Sequence, residues 1–162
     1  MLADKAEWIG EWRLVENGPA GRVLISGQAN DEYEKLIAGT NNRIVAQRTA
    51  LKKFIARFCT HPDHLNSEQF VKEYDFKDGL GGEIAIWAFK PFAWRLYGTI
   101  FELDGKRTFW GPIVDPDKKQ NKADREKLKR TAQIISASAE YQVYHRRRRE
   151  NDDEKKRRRK PR

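Results

Sequence analysis

The stretch that decides the fold is Glu83–Ala132, EIAIWAFKPFAWRLYGTIFELDGKRTFWGPIVDPDKKQNKADREKLKRTA. β-Branched and aromatic residues fill three strand-length blocks, and turn signals separate them at Lys90-Pro91 and Asp104-Gly105. Asp-Gly between two apolar runs is a strong hairpin signal. The stretch therefore predicts three strands, then a lysine-rich loop and a final helix that starts near Asn121 or Ala123. The three predicted strands cover Glu83–Phe89, Trp94–Leu103 and Arg107–Ile113.

The residues before this stretch contain one clear helix and several shorter elements. Asn42–Cys59 repeats apolar residues at steps of three and four, which is typical of an amphipathic helix. Shorter patterns predict strands over Trp12–Glu16 and Arg22–Ser26, and helices over Asn30–Ala38 and Asn66–Tyr74. Together these elements predict an α+β fold in which a small antiparallel sheet of three or four strands packs on helices.

Charge is unevenly distributed along the 162 residues, whose net charge is +9. The last eighteen residues, 145–162, hold 11 Lys/Arg and four Asp/Glu and lack the apolar residues that a core requires. The sequence therefore predicts a disordered basic tail over 145–162, a main domain over 42–144, and an N-terminal extension of short strands and a helix over 1–41. Basic segments of this kind attract polyanions through counterion release.

Several classes of protein are disfavoured by what the sequence lacks. Cys59 is the single cysteine, so no internal disulfide framework or cysteine-based metal cluster is expected. No zinc-protease motif, catalytic triad or glycine-rich nucleotide loop is visible, and we expect neither a metal ion nor another cofactor. The N-terminus does not resemble a secretory signal, and no apolar run reaches membrane-spanning length. We therefore expect a cytoplasmic protein that does not contact a membrane.

Four cations are predicted to meet at one end of the sheet. If the Asp104-Gly105 turn forms a hairpin, Arg95 and Lys118 return to the same end, beside Lys90 and Lys119. Such a cluster suits a phosphate and could stabilise the transition state of RNA cleavage by a 2′-hydroxyl. Trp94 and Tyr97 are near in sequence and could stack on bases. Packing in the core is the alternative role for each of these two aromatic residues.

Short motifs in the second half of the chain resemble a known family. The strand motif Trp94-Arg95-Leu96-Tyr97 and a Lys-Lys-x-x-Lys loop formed by Lys118, Lys119 and Lys122 carry the likeness. The segments RIVAQRTALKKFIARFC and EIAIWAFKP add to it. Over roughly Asn42–Tyr141 the chain resembles the RelE/ParE toxin superfamily, and within it the HigB-type, phage-derived toxins. The segment 42–144 would then be a RelE-like domain.

This resemblance implies a function, a site and two partners. The function is a metal-independent endoribonuclease that cuts mRNA at the ribosome and is neutralised by an antitoxin of helix-turn-helix type. Arg95 and Lys119 take the catalytic positions. The remaining site residues are assigned to RNA binding, namely Lys90, Lys118, Lys122, Tyr97 and Trp94. Two alternatives remain open: a non-catalytic nucleic-acid- or ribosome-binding protein that retains the RelE-like fold, and a protein-interaction module.

Overall fold

A computed structural model describes residues 6–118 and 124–159 of the chain. Seven strands form one sheet: β1 Trp8–Ile9, β2 Trp12–Gly18, β3 Gly21–Ile25, β4 Phe70–Lys77, β5 Glu83–Phe89, β6 Arg95–Leu103 and β7 Lys106–Asp115. Four α-helices accompany the sheet: α1 Gly27–Ala38, α2 Asn42–Thr60, α3 Arg125–Ser136 and α4 Ala139–Arg159. A single 3-10 turn, Pro62–His64, follows α2.

The sheet is mixed, with the strand order β1-β2-β3-β7-β6-β5-β4. Five of its six pairings are antiparallel, whereas β3 lies parallel to β7. The predicted hairpin joins β6 to β7, and both Asp104 and Gly105 have positive φ angles of 56° and 73°. Positive φ at both central residues is what a two-residue hairpin turn of the favoured twist requires. This prediction is therefore confirmed.

Helices cover both faces of the sheet. The sheet therefore lies between two buried clusters of apolar side chains. One cluster joins α1 and α2 to the sheet around Phe58, Phe89 and Phe109. The other joins α3 and the start of α4 to the opposite face, around Tyr97 and Trp110. Because alternate residues of a strand point to opposite faces, each central strand contributes to both clusters. The fold is thus a three-layer arrangement of helices, sheet and helices.

The predicted small antiparallel sheet is wrong, although the α+β character is retained. The sheet has seven strands and one parallel pairing, and three of its strands come from residues 1–41. The helix predicted over Asn66–Tyr74 is wrong as well, because the edge strand β4 begins within it at Phe70. The four-residue interval between Phe70 and Tyr74 puts both residues on one face of a strand as well as of a helix, so their spacing did not separate the two structures.

The C-terminal region is also more ordered than its composition predicted. Residues 145–159 continue α4 instead of forming an irregular tail, and every residue from Arg146 to Arg159 is exposed. Arg, Lys and Glu are good helix formers, so a helix without a core contact is compatible with this composition. The start of α4 is attached to the body by Tyr141, which is 5% exposed and packs edge-on to Phe101.

Candidate nucleic-acid interface

Three of the predicted cations meet at the end of the sheet where β6 begins. Arg95, the first residue of β6, lies directly opposite Asp115 on β7. The backbone N–H of Lys118 donates to the carbonyl of Ala93 at 2.9 Å, which holds Lys118 beside the start of β6. Lys90 follows the last residue of β5, the neighbouring strand. The sheet therefore brings together Lys90, Arg95 and Lys118, as the hairpin geometry predicted.

The Arg95 side chain is held in place by backbone carbonyl groups. Its Nη1 donates to the carbonyl of Phe92 and, at 3.1 Å, to that of Trp94. Its Nε is buried without a hydrogen-bond partner among the described residues. Burial lowers the pKa of the guanidinium, while the neighbouring Tyr97 and Glu73 act to raise it. Arg95 thus retains one buried donor without an acceptor, which costs free energy in the folded protein.

Electrostatic repulsion among the cations is visible at Lys118. Burial lowers the pKa of its ammonium group, and the positive charges of Arg95 and Lys90 lower it further. The Lys90 ammonium donates to the carbonyl of Ser67 at 3.4 Å, so this cation is anchored to the loop before β4. An anion bound between the three cations would relieve their repulsion. The group is therefore suited to a ligand with negative charge.

Two carboxylates share this end of the sheet, and sequence reasoning missed both as site residues. Glu73 acts electrostatically on Arg95, Tyr97 and Lys118. Asp115 lies opposite Arg95 on the neighbouring strand, and its Oδ1 forms an ion pair with Nζ of Lys127 on α3 at 3.3 Å. Glu73 could not be placed from sequence because its segment was assigned to a helix. Asp115 precedes Pro116, and Asp-Pro sequences are typical of turns, so the sequence gives no signal of a ligand site there.

The aromatic residues are arranged differently from the sequence prediction. Trp94 is 3% exposed and Tyr97 is 0% exposed, so both lie in the core and neither presents a ring face to solvent. Phe92, between Lys90 and Arg95 in sequence, is instead 65% exposed. Its φ angle is 59°, a left-handed conformation that is costly for a bulky residue and often marks a functional position. Phe92 is therefore the aromatic residue available for stacking on a base.

Further site predictions concern loop residues and metal binding. Lys119 and Lys122 lie outside the described residues. Within residues 6–118 and 124–159, no group of three or more His, Cys, Asp or Glu side chains is arranged to hold a metal ion. In the same part of the chain, no helix combines the length and the apolar character needed to cross a bilayer.

Comparison with known proteins assigns no family to the chain. No family model matches it, and comparison with curated proteins and with solved structures gives no significant match.

Proposed function

We propose that this chain is a HigB/RelE-like toxin that binds mRNA at the ribosome in the cytoplasm and cleaves it without a metal ion. An antitoxin protein would neutralise it. One observation carries the proposal: Lys90, Arg95 and Lys118, from three separate segments, converge at the end of the sheet where the backbone of the exposed Phe92 contacts Arg95. Cations next to an exposed aromatic ring are the usual means of holding a phosphate and stacking the adjoining base of single-stranded RNA. The proposal rests on these side chains and not on the sheet, which differs from the small antiparallel sheet that was predicted.

The side chains at this site match the steps of RNA cleavage by the neighbouring 2′-hydroxyl. In that reaction, O2′ loses a proton and attacks phosphorus, the bond to the 5′ oxygen breaks, and that oxygen gains a proton. The products are a 2′,3′-cyclic phosphate and a 5′-hydroxyl. Glu73 is the carboxylate suited to accept the proton, and Arg95 is suited to stabilise the pentavalent phosphorus. The lowered pKa of Lys118 makes its ammonium group a better proton donor to the leaving oxygen.

The second candidate function is binding of RNA or the ribosome without cleavage. One observation that favours it is the lack of further positive charge next to Arg95. On β5, the neighbouring strand, Ile86 and Ala88 are both 0% exposed and uncharged. It is also favoured by the two carbonyl groups that already occupy Nη1 of Arg95. In this case the site would hold a phosphate but lack the charge needed to stabilise the transition state.

Induced expression without a partner protein tests both candidates. We expect growth arrest and discrete cuts in mRNA, mapped by primer extension, for the wild type. Arg95→Ala and Arg95→Lys should lower the cleavage rate by roughly 100-fold, because a guanidinium can bind two phosphate oxygens and an ammonium cannot. Phe92→Ala should weaken RNA binding by about 1–3 kcal/mol through lost stacking.

Lys52→Ala is the matched control, because Lys52 is an exposed cation on α2, on the other side of the sheet. It removes the same charge and should leave cleavage unchanged. Circular dichroism and melting curves establish that each variant is folded. If Arg95→Ala cuts mRNA as fast as the wild type, the site assignment is wrong. If the wild type binds ribosomes but neither cuts mRNA nor slows growth, binding without cleavage is the function.

A further inference from the structure

The exposed part of α4 has a strongly asymmetric distribution of charge. An α-helix turns 100° per residue, so Arg147, Asn151, Lys155 and Arg158 line one side of it. Arg148 and Arg159 lie next to Lys155 around the helix and widen this side to about 120°, with Glu154 and Asp152 just outside its two borders. We name these six residues the basic stripe. The stripe contains five cations and no acid, whereas the rest of residues 146–159 contains four cations and four acids. The whole net charge of this segment therefore lies in the stripe.

The side chains of the stripe make few contacts with other described residues. Arg147 lies 3.5 Å from Asp104 in the β6–β7 turn, and Arg158 lies 2.7 Å from Glu154. Arg148 donates to the Tyr144 hydroxyl at 3.3 Å. Both ion pairs join side chains that are more than half exposed, and pairs of this kind contribute little stability. The charge of the stripe is consequently presented to solvent.

The position of α4 separates the stripe from the Arg95 site. Arg147 contacts the turn at the end of β6, and Arg95 is the first of the nine residues of that strand. At about 3.3 Å per residue, the two ends of β6 lie roughly 26 Å apart. The two cationic surfaces therefore sit at opposite ends of the sheet and cannot share one phosphate.

We propose that the basic stripe of α4 is a second interaction surface, and that it binds the phosphate backbone of a structured RNA helix. The five cations form two groups along α4, Arg147 with Arg148 and Lys155 with Arg158 and Arg159. At 1.5 Å per residue the facing ends of the two groups lie about 10 Å apart, so the groups can contact separate phosphates of one RNA helix. Residues 146–159 contain no apolar side chain that could insert into a bilayer, which disfavours a lipid surface. The inference extends the proposed function by supplying a second RNA contact, but its test does not depend on cleavage.

The test is a pair of charge-exchange variants, each with unchanged composition and net charge. The stripe variant exchanges residues between the two sides of α4 and lowers the charge of the stripe: Glu150→Lys, Lys155→Glu, Asp153→Arg and Arg158→Asp. The control variant exchanges residues within the other side and leaves the stripe intact: Arg146→Asp, Asp153→Arg, Glu150→Arg and Arg157→Glu. All proteins are full-length and carry Arg95→Ala, so that RNA is not consumed. Circular dichroism measures the helix content of each.

Binding of a short fluorescent RNA duplex is measured by anisotropy over a series of salt concentrations. The stripe variant should bind the duplex at least about tenfold more weakly at low salt. The slope of log affinity against log salt concentration should become shallower by about two, because each lost phosphate contact contributes about 0.9. The control variant should match the parent protein. Equal binding by all three proteins would overturn the proposal. Equal loss in both variants would also overturn it, because only the overall field of the helix would then matter.

Discussion

Removal of one hydroxyl group tests how α4 is attached to the sheet. The Tyr141 hydroxyl donates to Oδ2 of Asp78 at 2.7 Å, and this pair links α4 to the loop between β4 and β5. Tyr141 is 5% exposed, and the side chain of Asp78 is 1% exposed. The backbone N–H groups of Leu80 and Gly82 donate to the other carboxylate oxygen, at 2.8 and 3.0 Å. Tyr141→Phe deletes only the first of these three hydrogen bonds.

The expected cost follows from the burial of both partners. A hydrogen bond to a charged group contributes about 1.5–3 kcal/mol, and a buried acceptor that loses its donor pays the desolvation cost in full. We expect Tyr141→Phe to lower the free energy of unfolding by about 2 kcal/mol. For a chain of this size, that corresponds to a fall in Tm of roughly 4–8 °C.

The cost should depend on pH in a defined direction. Burial acts to raise the pKa of Asp78, but the hydrogen bonds from Tyr141, Leu80 and Gly82 outweigh it and place the pKa below its ordinary value of 3.8. A carboxyl whose pKa is lowered by folding stabilises the protein above its unfolded pKa and loses this effect as the pH falls through the folded value. The difference between wild type and Tyr141→Phe should therefore be largest near neutral pH and narrow below pH 3.8.

Urea denaturation at several pH values is the assay, and Tyr144→Phe is the matched control. Tyr144 lies one turn away on α4, and among the described residues its hydroxyl accepts a hydrogen bond only from the exposed Arg148, at 3.3 Å. Its removal should change stability by less than about 0.5 kcal/mol. Equal costs for the two variants at neutral pH would refute the reasoning, because the Asp78 contact would then contribute no more than a surface contact.

Two further predictions concern the core. Gly98→Ala should lower the free energy of unfolding, measured by urea denaturation, by about 1–3 kcal/mol. The reason is that a Cβ at this position would lie 2.2 Å from the Trp110 carbonyl oxygen and 2.6 Å from the Phe109 ring. A loss of less than about 0.5 kcal/mol would contradict this prediction. Burial is the main cause that raises the pKa of the Cys59 thiol to about 12, and the negative charge of Glu16 adds to it. The reactive thiolate is therefore scarce at neutral pH, so a thiol reagent should label Cys59 only as fast as the chain unfolds. Rapid labelling of the native protein would show that Cys59 is accessible.

Local patterns were sufficient to locate most of the central elements. Glu83–Phe89 forms the strand that its β-branched and aromatic residues predicted, and α2 begins at Asn42 as its apolar spacing predicted. The Asp104-Gly105 turn was recognisable because its backbone conformation depends on these two residues themselves. The hairpin then required Arg95 and Lys118 to lie near each other, so this part of the candidate site was also predictable.

The tertiary structure decided the features that depend on residues distant in sequence. The parallel pairing of Arg22 with Thr108 joins strands more than eighty positions apart, and no local pattern encodes such a register. Glu73 joins the site only because β4 forms the sheet edge, and Trp94 and Tyr97 are buried because helices cover both faces of the sheet. Sequence determined which of the central segments form strands and which cations share an end of the sheet. Packing between distant segments decided which side chains remain exposed to bind a ligand.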